Sequence, residues 1–295
     1  MHRTIPAALL CVLAAAPAWS QGQAAPRPQI ATTKVPGTEN VYIFRNGNNQ
    51  SIFVVTNEGV IATDPVAYGR PQGGATYIEE IKKVTDKPIK YLVYSHHHFD
   101  HITGGMPFKD AGAKIVAHKR VNERLAVQND AATPPADETF DKKRTITLGG
   151  TALELTFVGL NHSDSTLVMR LPREKILFAV DIAPVGAFPG RGMIDSYPVE
   201  WEDTLRKVIA MDWDRLIPGH PGAPDGRLGT KQDVKDQLAL LQEASGEIQA
   251  AARDSKCWEP AEKEYKMPKY EKWPGYEVGL PMLVRRYCGL WGRGT

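Results

Sequence analysis

Apolar and polar residues follow two different periods along this chain, and each period predicts one kind of element. Alternating runs at 41–45 and 51–56 flank the turn sequence Asn-Gly-Asn-Asn at 46–49, which predicts a β-hairpin. The run 89–94 is short, apolar and rich in β-branched and aromatic residues, so it predicts a buried strand. Apolar residues recur at helical spacing over 77–84, which predicts a helix.

Strands and helices are predicted in two successive groups. Further strands are predicted at 60–63, 114–117, 153–158, 166–171, 176–180 and 215–218. Further helices are predicted at 120–127, 200–211 and 232–251. Strands that alternate with helices twice over indicate an α/β fold and favour two β-sheets packed face to face, with helices outside. Periodicity alone also allows another α/β arrangement.

The two ends of the chain differ in composition from the middle. His2 and Arg3 precede an apolar run at 5–16, and Ala18-Trp19-Ser20 offers small residues for cleavage, so 1–20 is predicted to be a secretory signal. Residues 21–36 are predicted to be a flexible leader. Residues 37–228 then form the main domain. Residues 229–295 form a last helix and a Pro-rich extension of little regular structure that packs on the domain.

The composition excludes some partners. The chain has 295 residues, with 36 basic and 34 acidic side chains and a formal net charge of +2. That balance argues against a nucleic-acid or acidic-membrane partner, and no run beyond the N-terminus is long and apolar enough to span a membrane. Removal of the signal would leave Cys257 and Cys288, which we expect to form a disulfide in an oxidising compartment; two buried thiols are the alternative.

Candidate chemistry is concentrated in the sequence directly after the buried strand 89–94. His96, His98, Asp100 and His101 form the pattern His-x-His-x-Asp-His, in which His97 occupies a variable position. Neutral imidazole and carboxylate oxygen are ligand types that zinc takes at about 2.0–2.2 Å. A loop at a strand end is held rigidly enough for such a site. The pattern therefore predicts a metal site to which one tight loop supplies four ligands.

This pattern resembles the metal-binding motif of the metallo-β-lactamase superfamily. The resemblance runs from about Val41 to about His220, and further motifs match in the expected order. Asp64 ends a strand of the first motif, His162 lies in a loop after a strand, and Asp181 ends another strand. His220 follows the strand 215–218 in a Pro-Gly-His sequence. The resemblance implies the αββα sandwich of that superfamily, with a C-terminal extension.

The resemblance also implies seven ligands around two zinc ions. One ion would be held by His96, His98 and His162, the second by Asp100, His101 and His220, and both by a bridging Asp181. Asp64 would orient the metal loop by hydrogen bonds. A hydroxide between the two ions would attack a carbonyl group, and Asp100 would orient that hydroxide or pass a proton to the leaving group. Iron and manganese are the alternatives to zinc.

The fold serves many reactions and does not specify the substrate. An Asp at 181, where true β-lactamases typically have Cys or no ligand, resembles the thioesterase and lactonase branches. We therefore predict an exported, zinc-dependent hydrolase of a small ester, lactone or thioester-like carbonyl compound. A β-lactamase and a mononuclear iron dioxygenase acting on persulfides are the alternatives. The pocket walls are predicted at 64–74, 129–139 and 184–198.

The N-terminal segment generates the first testable prediction, which is that the protein is periplasmic or secreted. The mature protein should begin near Gln21, because signal peptidase cleaves after small residues such as those at 18–20. N-terminal sequencing of protein recovered from the periplasm or the medium measures this directly. Recovery of the chain with an intact Met1 from the cytosol would contradict export.

Overall fold

The structure, a computed structural model, describes residues 29–223 and 225–294. The strands are β1 (Ile30–Lys34), β2 (Val41–Asn46), β3 (Asn49–Val55), β4 (Val60–Thr63), β5 (Ile89–Val93), β6 (Lys114–His118), β7 (Glu138–Phe140), β8 (Lys143–Leu148), β9 (Thr151–Phe157), β10 (Leu167–Leu171), β11 (Ile176–Ala179) and β12 (Arg215–Pro218). The helices are α1 (Gly73–Lys82), α2 (Phe99–Ile102), α3 (Met106–Asp110), α4 (Lys119–Gln128), α5 (Pro198–Ala210), α6 (Lys231–Arg253), α7 (Glu259–Glu264) and α8 (Tyr276–Arg293). Short 3₁₀ turns cover Arg191–Asp195 and Pro268–Tyr270.

The strands form two sheets. The first has the order β1-β2-β3-β4-β5-β6-β7, antiparallel from β1 to β4 and parallel from β4 to β7. The second has the order β12-β11-β10-β9-β8, antiparallel except for the parallel pair β11 and β12. In each sheet the parallel strands therefore bring their carboxyl ends to one edge. Polar side chains that follow these strands collect at that edge.

Three apolar clusters show that the sheets and helices form four layers. One cluster lies between the sheets and includes Val93 of β5 and Phe178 of β11. A second cluster joins the outer face of the first sheet to helices α1, α3 and α4. The third joins the second sheet to α5, α6 and α8 and contains Trp201, Leu241 and Leu283. The predicted αββα sandwich with a C-terminal extension is confirmed.

The predicted elements of the domain are present within a few residues of their expected bounds. The hairpin of β2 and β3 turns through Gly47, whose φ of +65° is a conformation that glycine adopts readily. Helix α6 begins where Thr230 and Asp233 form a capping box, which satisfies backbone N–H groups that helix ends otherwise leave unpaired. The edge strands β7 and β8 were not predicted.

Two predictions about the ends of the domain are wrong. The flexible leader does not extend to residue 36, because Ile30–Lys34 forms β1 and pairs with β2. Its Thr and Lys side chains sit on a half-exposed edge, so the strand lacks the apolar alternation that sequence patterns detect. The C-terminal extension is also more regular than expected, since α8 is an 18-residue helix that contains Pro281. The predicted signal 1–20 lies outside the described residues.

A disulfide joins Cys257 to Cys288, as predicted, with the two Cα atoms 5.4 Å apart. It connects the segment before α7 to the second half of α8. Leu280, Leu283 and Val284 of α8 are buried in the cluster over the second sheet. The C-terminal extension is thus attached to the domain both by packing and by a covalent link. Among the described residues, no helix is long and apolar enough to cross a membrane.

The disulfide links residues that are 31 positions apart in the sequence, which generates a stability prediction. Cys288→Ser should lower the free energy of unfolding by about 3–4 kcal/mol, because the unfolded chain regains loop entropy. Urea denaturation of the oxidised wild type, the reduced wild type and the variant measures the change. If reduction leaves the urea midpoint unchanged, or if both thiols of unreduced peptides can be alkylated, the disulfide does not contribute in this way.

Candidate metal centre

Loops that follow strands of both sheets meet at one edge of the sandwich. Ser95 and the motif 96–101 follow β5, and His162 lies in the loop between β9 and β10. Asp181 follows β11, and His220 follows the neighbouring β12. Two backbone bonds join the sheets here, because Leu167 N donates to Ser95 O at 2.8 Å and Gln50 N donates to Gly219 O at 2.8 Å. The ligand loops are therefore positioned by the sheets themselves.

The first group of side chains is His96, His98 and His162. One ring nitrogen from each lies within 4.8 Å of the others. Nδ1 of His98 is 2.9 Å from Nε2 of His162. His96 is fully buried, and its Nδ1 lies 2.9 Å from the hydroxyl of Ser95, which turns Nε2 toward the other rings. The structure thus assembles all three residues that the resemblance assigns to one metal ion.

The second group is Asp100, His101, Asp181 and His220, whose ligand atoms also lie within 4.8 Å of one another. Nε2 of His101 is 3.2 Å from Nε2 of His220. Oδ2 of Asp100 lies 3.4 Å from each of these two nitrogens. All seven residues predicted as ligands are therefore brought together, in the two groups that the resemblance implies.

Asp181 lies between the two groups. Its Oδ2 is 3.7 Å from His96 Nε2 and 3.4 Å from His162 Nε2, and it is also 3.1 Å from His101 Nε2. Its Oδ1 is 3.3 Å from His220 Nε2. The backbone at Asp181 has a φ of +57°, a left-handed conformation that ends β11 and that Asp tolerates better than most residues. This is the position that a bridging carboxylate requires.

Burial and charge give the site its electrostatic character. Burial lowers the pKa of His96 well below its usual value and lowers that of His162 to about 4, which favours neutral rings with free lone pairs. Burial opposes ionisation of Asp181, but the neighbouring His101, His220 and His162 outweigh it and hold the pKa of Asp181 far below its usual value. Burial also opposes protonation of His101, but Asp181 raises its pKa to about 9.

Asp64 contacts the loop that contains the motif 96–101. Its Oδ1 accepts a hydrogen bond of 2.7 Å from the backbone N–H of Ser95, directly before the first ligand. Its Oδ2 lies 3.9 Å from Nδ1 of His101. Asp64 is fully buried, and burial raises its pKa to about 6. It contacts the loop rather than either group of ligand atoms, so it acts on the site through Ser95 and His101.

Three supporting residues could not be predicted from the sequence. The carbonyl oxygen of Asn48 lies 2.7 Å from Nδ1 of His220, and Nδ2 of Asn49 donates to Oδ2 of Asp100 at 3.2 Å. The β2–β3 hairpin thus orients two ligands that follow other strands. Oδ2 of Asp195 lies 2.8 Å from Nε2 of His98. An Asn pair in a turn is an ordinary hairpin signal, so only the fold reveals this second role.

His97, at the variable position of the motif, and His118 have other contacts. Nδ1 of His97 lies 2.8 Å from the hydroxyl of Ser165, and a ligand atom of His97 also lies within 4.8 Å of ligand atoms of His98 and Asp195. His118 is buried and stacks on Phe157, and its Nε2 lies 2.9 Å from a backbone oxygen at Asp141. The side chain of His118 is therefore held by ring stacking and a backbone contact.

A cavity of about 860 Å³ opens onto both groups of ligands. Its wall includes most of the predicted segment 184–198, and Gly192 lies so close to His162 that a Cβ atom there would overlap the ring. The predicted walls 64–74 and 129–139 are wrong, because neither lines the described cavity. Their place is taken by Pro274, Gly275 and Val278 at the start of α8. No local sequence pattern indicates that this extension reaches the site.

The side chains fit divalent metal ions. Two ligands of one tetrahedral zinc ion, each about 2.0–2.1 Å from it, lie roughly 3.3 Å apart. The nitrogen pairs of 2.9 Å and 3.2 Å in the two groups are close to that separation. Nε2 of His96 is buried and has no hydrogen-bond partner among the described residues, which an ion at the first group would supply. The donors are imidazole nitrogen and carboxylate oxygen, which suit zinc.

Comparison with known proteins identifies the family. A sequence model of the metallo-beta-lactamase superfamily matches residues 45–220, which contain all seven candidate ligands. The chain belongs to this superfamily. The family match and the curated relatives support a metallo-hydrolase. The predicted family, fold class and enzyme type are confirmed.

The curated relatives catalyse different reactions. The chain is 26% identical over 196 residues to the 2,4-dinitroanisole O-demethylase subunit alpha of a Nocardioides species, covering 65% of this chain and 58% of the relative. It is 24% identical over 230 residues to the metallo-beta-lactamase type 2 of Elizabethkingia meningoseptica, covering 74% and 84%. A linear primary-alkylsulfatase from a Pseudomonas species is 24% identical over 263 residues, covering 72% and 48%.

Solved structures show the same fold at low identity. A metallo-beta-lactamase from Pontibacter korlensis has a TM-score of 0.64 at 23% identity and covers 72% of this chain and 99% of its own. A double mutant of the sec-alkyl sulfatase PisA1 has a TM-score of 0.68 at 17% identity and covers 89% of this chain but 50% of its own. The chain spans about half of the sulfatase relatives and 58% of the demethylase subunit, so their activities do not transfer to it.

The contact between Asn49 and Asp100 generates a metal-binding prediction. Asn49→Ala should weaken binding of one of two ions by about 10- to 100-fold, because Asp100 loses the donor that orients it. Titration of the metal-free protein with zinc against a fluorescent chelator measures both affinities. Asn57→Ala, in an exposed turn, is the control and should leave both unchanged. If Asn49→Ala binds both ions with the affinities of the wild type, the hairpin does not position Asp100.

Proposed function

We propose that this enzyme is a dinuclear zinc hydrolase that cleaves a small ester, lactone or thioester-like carbonyl substrate. The position of Asp181 is the observation that carries the proposal. Its two oxygens lie 3.1–3.7 Å from ring nitrogens of four histidines that belong to two groups. One carboxylate so placed would offset the repulsion between two cations held by the two groups.

Bound zinc ions would lower the pKa of a water molecule toward neutrality and polarise a carbonyl oxygen. The protein's own side chains orient the reacting groups and transfer protons. Asp100 lines the cavity, and Asn49 holds one of its oxygens, so the carboxylate is placed to accept a proton from the attacking water and return it to the leaving group. His98 also lines the cavity and is held by Asp195, so its orientation is fixed before substrate binds.

The cavity wall favours a substrate with an apolar part. Ala187, Phe188, Pro189 and Met193 lie on one side, and Val278 lies on the C-terminal helix. Apolar walls around a few convergent polar groups are typical of sites for small organic molecules. They exclude water from the reacting carbonyl, which strengthens the electrostatic interactions there. A panel of aryl esters, thioesters and lactones tested on the zinc-loaded protein should identify the substrate class.

β-Lactam hydrolysis is the second candidate. The chain matches 84% of the length of the beta-lactamase from Elizabethkingia meningoseptica, which favours it. Nitrocefin turnover faster than that of every ester, thioester and lactone tested would establish the second candidate instead. The iron dioxygenase is distinguished by metal analysis, since it requires one iron per chain instead of two zinc ions.

The compartment is part of the proposal. An exported enzyme meets an oxidising environment, in which a disulfide such as Cys257–Cys288 forms and persists. The N-terminal composition described above supports the same interpretation. We propose the periplasm or the extracellular space as the site of action.

The bridging role of Asp181 is tested by Asp181→Asn, which removes the charge and nearly keeps the shape. Metal content should fall from two ions toward one, and kcat/KM should fall by about 100-fold or more, because two cations then repel each other without compensation. Elemental analysis after dialysis gives the metal content, and hydrolysis of the best ester of the panel gives the rate.

Asp203→Asn is the matched control, since Asp203 is exposed on α5 and pairs only with Arg206 among the described ion pairs. It should keep both ions and full activity. If Asp181→Asn also retains two ions and wild-type kcat/KM, Asp181 does not bridge, and the proposed dinuclear mechanism is wrong.

A further inference from the structure

Two apolar side chains at the mouth of the metal cavity are exposed to solvent. Ile194, in the 3₁₀ turn Arg191–Asp195, is 56% exposed, and Val278, near the start of α8, is 47% exposed. Both line the cavity that contains the candidate ligands. Single exposed apolar residues are ordinary on a protein surface. Two such residues, on different segments that line one cavity, indicate an apolar surface that a bound substrate covers.

The two segments are held together. The backbone N–H of Phe188 donates to the carbonyl oxygen of Pro274 at 2.9 Å, and the Phe188 ring meets Tyr276 edge to face, with centroids 5.3 Å apart. Gly279 lies against Pro189 so closely that a Cβ atom would overlap its carbonyl oxygen. The start of α8 is therefore packed directly on the loop that forms the opposite wall.

A third contact lies farther along α8. Nε of Arg286 donates to the carbonyl oxygen of Ser196 at 2.6 Å, directly after the turn that carries Ile194. Cys288, two residues later, is linked to Cys257. The positions of Ile194 and Val278 are therefore maintained without a substrate. Binding of a ligand against them costs little conformational entropy of the protein.

We infer that Ile194 and Val278 form a subsite for the apolar chain of the substrate, so that the enzyme selects esters with a medium-length alkyl acyl group. The inference deepens the proposed function and rests on it. In this arrangement the substrate's carbonyl group lies at the candidate ligands, and its alkyl chain extends toward Ile194 and Val278. Each methylene group buried there should raise kcat/KM by up to about fourfold.

The chain-length profile tests this subsite. Wild-type kcat/KM for p-nitrophenyl esters should rise from acetyl to octanoyl, because longer chains reach Ile194 and Val278. In the double variant Ile194→Ser/Val278→Ser the acetyl ester is the reference substrate. The ratio of kcat/KM for the octanoyl ester to that for the acetyl ester should fall by about tenfold or more, which flattens the profile. Val278→Leu should keep the rising profile, since it keeps an apolar wall.

Val199→Ser is the matched control, because Val199 is 43% exposed on α5 and does not line the cavity. It should leave the profile unchanged, and thermal unfolding should show that all variants are folded. A wild-type profile that does not rise with chain length, or a double variant with the wild-type profile, would overturn the subsite.

A binding measurement separates this inference from the proposed reaction. Calorimetry should show that straight-chain carboxylates from acetate to octanoate bind the zinc-loaded wild type more tightly as the chain grows, and that the double variant loses this gain. If these ligands behave as expected but no ester, thioester or lactone is hydrolysed, the subsite stands and the proposed function fails. If ester hydrolysis occurs but neither kcat/KM nor Kd depends on chain length, the proposed function stands and the subsite fails.

Discussion

The carboxylate of Asp181, only 11% exposed among four imidazole rings, makes the interaction on which this site depends. A charge with so little solvent is unfavourable unless opposite charges or metal ions compensate it. The nearest compensation in the protein is His101, whose Nε2 lies 3.1 Å from Oδ2. The same carboxylate reaches His162 of one group and His220 of the other. The geometry of both groups is therefore linked through one side chain, and a shift of Asp181 would alter both.

The two sheets determine where Asp181 can lie relative to the other ligands. β11 carries Asp181 in the second sheet, whereas β5 carries the motif 96–101 in the first. The backbone bonds from Leu167 to Ser95 and from Gln50 to Gly219 cross between the sheets at this edge. Well-packed apolar residues between the sheets resist sliding, since protein interiors are dense. The arrangement brings carboxylates and imidazoles from widely separated positions in the chain within 4.8 Å of one another in each group.

Much of the fold and the ligand set could be predicted from the sequence, because both produce local patterns. The run 89–94 is apolar because β5 is buried, and the motif directly after it has ligand types at fixed spacing. What could not be predicted depends on contacts between distant segments. The sequence indicates only that Asn49 belongs to a turn, whereas the fold places it beside Asp100. In the sequence, Val278 is part of a Pro-rich C-terminal segment, and no local pattern indicates that α8 lies against the loop containing Phe188. β1 was missed because edge strands need little apolar alternation.

We propose that one carboxylate joins two metal ions. Anomalous diffraction from crystals of the zinc-loaded protein, recorded at the zinc absorption edge, tests it most directly. We expect two peaks about 3.5–4 Å apart. One should lie against His96, His98 and His162, the other against Asp100, His101 and His220, with Asp181 touching both. A single peak at full zinc saturation, or two peaks of which only one contacts Asp181, would contradict it.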